Sequence, residues 1–340
     1  MRYIGSKIRL LDNIEDVTNR CIDAKTFCDI FSGTTSVARH FKKKYAVMSN
    51  DLLYFSYVLQ KATIENDKIP DFIKIKESLG IDDVFDYLDN IDTAPFTESG
   101  FFYNNYSPNG GRMYITDENA LRIDATRITV EDWYKSGLLL ENEYFYLVAC
   151  IVEGIPFVSN ISGTYGAFHK NWDKRAFLKF KLERLKVVTN DKKNLAFNLN
   201  GNDLVKQVSG DILYIDPPYN ERQYLPNYHL LETAAKYDYP ELKGVTGVRP
   251  YSVEKSDFCI KSKVLTAFTD LLQNAKFRHI ILSYNSEGLM KPIEIEGIMK
   301  SIGMSETFEM IEIPFTRFKS KQTSHSGSIH EYLFYIEKSI

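Results

Sequence analysis

Short apolar runs alternate with amphipathic stretches at both ends of the chain. Leu10, Leu11, Ile14, Val17 and Ile22 fall near helical spacing over residues 10–22. Residues 26–31 are apolar and β-prone, and Ser32-Gly33 breaks them. Residues 35–41 read as a helix, and residues 45–48 as a second short strand that stops at Ser49-Asn50-Asp51. Helix, strand, helix, strand predicts a parallel α/β sheet. The same texture returns late. A strand over 211–215 ends in Asp216-Pro217-Pro218. An amphipathic helix over 264–274 sets Leu265, Phe268, Leu271 and Leu272 on one side. A strand over 278–284 ends at Asn285, and runs at 308–315 and 332–336 read as a closing hairpin.

Residues 63–188 lack this alternation. They hold an Asn/Gly-rich turn at 104–111, then Arg112, Arg122 and Arg127, and a polar stretch at 159–166. They are expected to form an insertion, leaving 1–62 and 189–340 as one sheet domain. Residues 221–261 are open to three readings: a lid, a DNA clamp, or part of a recognition surface.

Open parallel sheets bind ligands beyond the carboxyl ends of their strands. Four polar or glycine-bearing stops fall at such ends: Ser32-Gly33, Asn50-Asp51, Asp216-Pro217-Pro218-Tyr219 and Ser283-Tyr284-Asn285. Gly33 lets the backbone approach a nucleotide closely. Asp51 stands where an acid holds a ribose diol. Taken singly, a turn glycine and a helix-capping aspartate explain these two equally well. The Asp-Pro-Pro-Tyr run is more specific. Two prolines fix φ and remove two backbone donors, and Pro218 holds Pro217 extended. The result is a rigid turn with bare carbonyl oxygens, one carboxylate and one aromatic ring. Asp216 and the Pro217 carbonyl suit the two hydrogens of a planar heteroaromatic amine, and Tyr219 suits the face of its ring.

Charge and composition narrow the reading. The formal net charge of the 340-residue chain is -3, so any nucleic-acid contact must use local positive patches. Residues 42–44 are one candidate and residues 317–330 another. Aromatics reach 14%, with 22 Tyr and 22 Phe, which suits stacking on bases. The four cysteines fit neither a zinc pattern nor a disulfide framework. No apolar leader is read at the start, and the apolar stretch 144–158 is broken by Glu153, Gly154 and Pro156. A reducing cytoplasmic setting is expected, with no membrane contact.

The motifs together resemble the Dam-like class of adenine-specific DNA methyltransferases in its alpha arrangement, and most of all the FokI-methyltransferase-like enzymes of type II restriction–modification systems. Tyr3-Ile4-Gly5-Ser6-Lys7 resembles the segment that holds the methionine part of the cofactor. Asp29-Ile30-Phe31-Ser32-Gly33-Thr34 resembles the glycine motif, although Thr35 stands where many relatives have a second glycine. Asn50-Asp51 resembles the ribose-binding acid, Asn202-Asp203 the acid at the cofactor adenine, and Ile281–Asn285 the later strand motif.

The resemblance implies a Rossmann-like S-adenosylmethionine-dependent fold: a mostly parallel seven-stranded sheet with a C-terminal antiparallel hairpin and an inserted target-recognition region at 63–188. It implies S-adenosylmethionine as cofactor, held by Tyr3, Lys7, Asp29, Phe31, Ser32, Gly33, Thr34, Asp51, Asp203 and Asp216, with no metal. The reaction expected is methylation of the exocyclic amine of a flipped-out adenine at Asp216, Pro217, Pro218 and Tyr219. Double-stranded DNA is the expected partner, contacted by Arg112, Asn119, Arg122, Arg127, Tyr224, Arg317 and Lys319. Action as a monomer is expected, the resemblance implies a bacterial, phage or nucleoid-associated enzyme, and it leaves room for a cognate restriction endonuclease. Three other readings compete. Methyl transfer to RNA or a protein glutamine is disfavoured by Asp216, since those relatives commonly carry Asn at that position. A non-catalytic DNA-binding relative is disfavoured by the joint presence of Lys7, Asp51 and Asp216. A dehydrogenase is disfavoured because no GxGxxG follows the first strand.

Overall fold

Successive residues of a strand face opposite sides of its sheet, and here both sides are covered. The computed structural model describes residue 5 and residues 7–315 and 329–339. Seven strands form one sheet: β1 (Thr26–Asp29), β2 (Ala46–Asn50), β3 (Leu195–Phe197), β4 (Ser209–Ile215), β5 (Lys276–Asn285), β6 (Glu309–Phe315) and β7 (Ile329–Glu337). Their order is β3-β2-β1-β4-β5-β7-β6. The first five run parallel, and β7 lies antiparallel between β5 and β6. The mostly parallel sheet and its C-terminal hairpin are thus as expected.

Phe27, Ile212, Tyr214, Ile281 and Leu333 pack on one face with Ile14 and Val17 of the helix Leu11–Thr18 and with Phe41. Their chain neighbours Cys28, Leu213, Ile280, Leu282 and Phe334 pack on the other. That second face is covered by Phe268 and Leu271 of the helix Val264–Asn274 and by Ile295 and Met299 of the helix Pro292–Ile302. Burial on both sides is why these strands read as unbroken apolar runs.

The chain divides into two compact units. The sheet lies in the one formed by Lys7–Leu52, Lys192–Gln223 and Lys255–Ile340. The other is built from Leu53–Asp191 and Tyr224–Glu254. Its long elements are helices, among them Tyr54–Gln60, Phe101–Tyr106, Asp117–Lys135, Glu141–Gly154 and Leu225–Lys236. The segment that showed no strand–helix alternation is therefore largely helical. The helix Glu141–Gly154 is buried from Glu143 to its end, so it shows no amphipathic stripe. The helix Asp117–Lys135 buries polar residues beside apolar ones, which blurs its period.

Two buried carboxylates cap helices in this unit. Asp124 accepts from the amides of Phe102 and Tyr103 and from the Tyr237 hydroxyl. Glu232 accepts from the amides of Tyr54 and Phe55 and pairs with Lys236. Each puts negative charge at a helix N-terminus, where it is favoured. The helix Leu225–Lys236, from the segment left open above, belongs to this core through Leu225, Leu230 and Leu231. Among the described residues no helix is long and apolar enough to cross a membrane.

Candidate active site

The strand order reverses between β1 and β4, and ligands of open α/β sheets bind in the crevice at such a point. Asp29 pairs in register with Tyr214, so the end of β1 lies beside the exit of β4 into Asp216-Pro217-Pro218-Tyr219.

Past β1 the chain makes a tight turn. Gly33 has φ 51° and Thr35 φ 63°, both left-handed. The Ser32 amide donates to the Asn50 carbonyl (2.8 Å), and its hydroxyl lies 2.6 Å from that of Ser49. The Gly33 amide donates to Asp51 Oδ2 at 2.8 Å. One carboxylate thus shapes the glycine turn and stands at the end of β2, where a ribose is expected. The Thr34 hydroxyl pairs with that of Ser36 at 3.0 Å. Thr35 keeps the backbone shape of the missing second glycine. A left-handed residue with a Cβ costs roughly 1–2 kcal/mol, whereas glycine adds about 0.5–1 kcal/mol of chain entropy loss. The backbone terms thus nearly cancel, and Thr35→Gly is expected to lower the melting temperature only by the loss of its buried side chain. Thr35→Ala, which loses most of that side chain but keeps the left-handed strain, is expected to be no more stable than Thr35→Gly, and a clearly more stable alanine variant would contradict this account of the turn.

Phe31 is half-buried, edge-on to Phe258 with 5.1 Å between centroids. A Cβ on Gly201 would come within 3.1 Å of its ring, so glycine is what lets the loop approach. Asp203 sits exposed on the short helix Gly201–Leu204. Its neighbour Asn202 binds Ala267 and Asp270.

Asp29 is 1% exposed, and neither of its carboxylate oxygens makes a hydrogen bond of full geometry among the described residues, the nearby Ser32 hydroxyl being bonded instead to the Asp29 backbone carbonyl at 3.1 Å. Burial, reinforced by the nearby Asp216 and Asp51, pushes its pKa up to about 8 against the opposing effect of Ser32.

The ammonium of the buried Lys7 lies 2.9 Å from Glu331 and 3.4 Å from Asp216. Glu331 comes from β7, opposite Asn285 of β5 in register. The Asn285 amide donates to its other oxygen at 2.8 Å. Burial works to lower the Lys7 pKa, but Asp216 and Glu331 together override it and carry it up to about 12. Asp216 receives the weaker share of that cation. Burial pushes its pKa up to about 7, Lys7 holds it down only in part, and Glu331 adds to the rise. The Tyr219 ring stands 5.8 Å from Lys7 Nζ, and its carbonyl accepts from the Leu289 amide. The structure thus gathers Lys7, Asp29 and the Asp-Pro-Pro-Tyr turn at one sheet edge, and adds Glu331, which belongs to none of the motifs.

The expected DNA contacts fare differently. Arg127 is 1% exposed, and its guanidinium is bound to the Ala234 and Ala235 carbonyls, Glu131 and the Tyr144 hydroxyl. Asn119 is buried and tied to the backbone of Ala176, Leu178 and Phe180. Both are core residues, and neither reaches a surface that DNA could touch. Arg112 donates to the carbonyls of Asn105, Gly244 and Val245, pinning a loop. Arg122 pairs with Glu118 one turn away. Tyr224 is half-buried, its ring 6.3 Å from that of Tyr228. Tyr3, Arg317 and Lys319 lie outside the described residues. Lys42, from the first basic run, is buried. All four cysteines are buried and free.

A family model for the D12 class of N6 adenine-specific DNA methyltransferases matches residues 3–298. The chain belongs to that family. It is similar over its full length to the type II methyltransferase M.FokI of Planomicrobium okeanokoites, at 51% identity and covering 53% of that protein. It is 43% identical to the modification methylase StsI of Streptococcus sanguinis, over 99% of the chain and 52% of that protein. It is also 37% identical to the type II methyltransferase M.NlaIII of Neisseria lactamica, over the whole of both. The chain therefore spans about half the length of the first two and the full length of the third. D12 membership agrees with the resemblance carried by the motifs and with the observed sheet.

Proposed function

We propose that the chain methylates the exocyclic amine of adenine in duplex DNA, as the modification enzyme of a restriction–modification system. The observation that carries this reading is the Asp216-Pro217-Pro218-Tyr219 turn at the switch point, with its carboxylate only partly neutralised by Lys7.

The family implies S-adenosylmethionine, and the residues fit it. A buried, unpartnered Asp29 carboxylate suits a cationic group, and the cofactor carries an ammonium and a sulfonium. Asp29, Lys7 and the turn Phe31–Thr34 would hold its amino-acid part, Asp51 its ribose and Asp203 its adenine. When bound, S-adenosylmethionine supplies an electrophilic methyl group.

The chain's own residues prepare the acceptor. The lone pair of the adenine amine is delocalised into its ring. Hydrogen bonds to Asp216 and to the Pro217 carbonyl pull the nitrogen toward tetrahedral geometry and free that pair. Most of the acceleration then comes from positioning and from matching developing charge. Asp216 or solvent takes the surplus proton. A base inside a duplex must leave the stack to reach such a turn, and the Tyr219 ring would support it there. Glu331 is a positioning residue: it draws Lys7 toward β7 and leaves Asp216 a better acceptor.

An ionised Asp216 is the stronger acceptor for the amine. In the free enzyme its pKa lies near 7, so kcat/KM for DNA is expected to rise with pH through about that value and then level. A profile that falls across the same range would contradict the role. The reaction itself is tested by incubating the chain with methyl-labelled S-adenosylmethionine and unmethylated genomic DNA, then digesting to nucleosides. Label in N6-methyladenine is expected. Cofactor binding with no label in DNA would favour RNA or protein as the acceptor.

A further inference from the structure

Residues 166–186 hold seven lysines and arginines against Asp173 and Glu183, in a chain whose net charge is -3. They form an extended strap whose one helical turn is Lys174–Phe177. Irregular backbone of this length must satisfy its amides and carbonyls elsewhere, and buried side chains of the same unit do so here. Asn119 holds the backbone of Ala176, Leu178 and Phe180. Asn160 accepts from the Asp173 amide, Asp89 from the Leu182 amide, and the Tyr146 hydroxyl donates to the Leu185 carbonyl. Ala176, Phe180, Leu182 and Leu185 turn inward. The strap is thereby fixed while its outer side stays free to bind.

That outer side has a consistent chemistry. Lys170, Lys174 and Lys181 are exposed and make no ion pair among the described residues. Between them Phe177 is 66% exposed and Leu178 57% exposed, with the Trp172 ring 5.7 Å from that of Phe177. Exposed apolar side chains set among unpaired cations fit a polyanion that also offers apolar edges. Duplex DNA has both: phosphates for the lysines, and base and sugar surface in its grooves for the ring and the leucine. A lipid surface would satisfy the charges as well, but it would call for an amphipathic helix, and this segment is not one.

We infer that the strap is a DNA-binding surface, with Lys170, Lys174 and Lys181 on phosphates and Phe177 and Leu178 in a groove. This rests on the DNA-methyltransferase reading above and supplies the contacts that Arg127 and Asn119 cannot make.

The test compares the parent chain with a Lys170→Ala/Lys174→Ala/Lys181→Ala variant by titrating a fluorescein-labelled duplex at several salt concentrations. Each lost phosphate contact removes about 0.9 from the slope of log K against log salt, so the variant's slope is expected to be shallower by roughly 2–3. Cofactor binding by calorimetry should not change, and replacing the same lysines with arginine should restore the slope. Phe177→Ala is expected to weaken binding about 10-fold, within the range for loss of one aromatic–base contact, with the slope intact. If the parent methylates DNA while the alanine variant keeps its affinity and slope, the strap is overturned alone. If the parent binds no duplex at any salt, the strap and the methyltransferase reading both fall.

Discussion

Asp216→Asn is expected to reduce methyl transfer about 1000-fold or more while the protein stays folded and gains stability above pH 7. The rate follows from replacing an ionised acceptor, aimed at the reacting amine, by a neutral group that also donates; losses of this kind run from about 100-fold to 10,000-fold. The stability follows from linkage. The Asp216 carboxyl has a pKa near 7 when folded against an ordinary aspartate value of 3.8. Between those values the folded state binds more protons than the unfolded one, so stability falls as pH rises. The opposition to folding is absent below 3.8, grows to about 7 and is constant beyond. Removing the charge should remove the opposition. Lys7 keeps Glu331 as a partner at 2.9 Å, so no cation is stranded. Denaturant melts at pH 5 and pH 8, with a methylation assay, check both halves. An active variant, or one that is less stable only at pH 8, would contradict the account.

Lys7→Met should have the opposite signature. It strands the Asp216 and Glu331 carboxylates in a site where water reaches little of either, and removing one partner of a buried ion pair typically costs about 3–5 kcal/mol. The raised pKa of Lys7 means that its contribution is full below the ordinary lysine value of 10.5 and disappears as pH climbs through about 12. At neutral pH the whole effect is therefore present in the parent and lost in the variant. The deficit should shrink on acidification, because the stranded Asp216, its pKa already raised by burial, then takes up a proton. Urea denaturation from pH 5 to pH 8 reads this directly, and a deficit independent of pH would show that Lys7 acts through packing alone. Adding Glu331→Gln should recover part of the loss, since one stranded charge is gone.

Particular elements show what the sequence makes legible. β1, β4 and β5 stand out because both faces are covered and each carries a short apolar run, residues 27–28, 212–215 and 280–282. β3, at the sheet edge, has only three residues, all half-buried, and leaves no comparable trace. The Asp-Pro-Pro-Tyr turn is readable because two adjacent prolines have few other uses at a strand end. Glu331 is hidden because no local spacing ties β7 to Lys7. The pairing exists only once the hairpin sets β7 against β5 and Glu331 opposite Asn285. A carboxylate on an inward position of a closing strand was the available signal.

The recognition residues fail for a different reason. Ala120, Ile123, Arg127 and Val130 lie on one stripe of the helix Asp117–Lys135, and all four are buried. Arg127 thus holds a core position, which its charge disguises. The strap at 166–186 was not among the positive patches expected from charge, and nothing in its spacing shows that its apolar residues divide into an inward set and an exposed pair. Asn119 and Asn160, which hold it in place, make that division.

The central claim is tested most directly by single-molecule sequencing of genomic DNA from an unmethylated host that expresses the chain, beside the same host expressing Asp216→Ala. The account predicts methylated adenine within one short sequence motif for the parent and none for the variant. Methylated adenine at the same sites with the variant, or unmodified adenine with a folded, cofactor-binding parent, would contradict it.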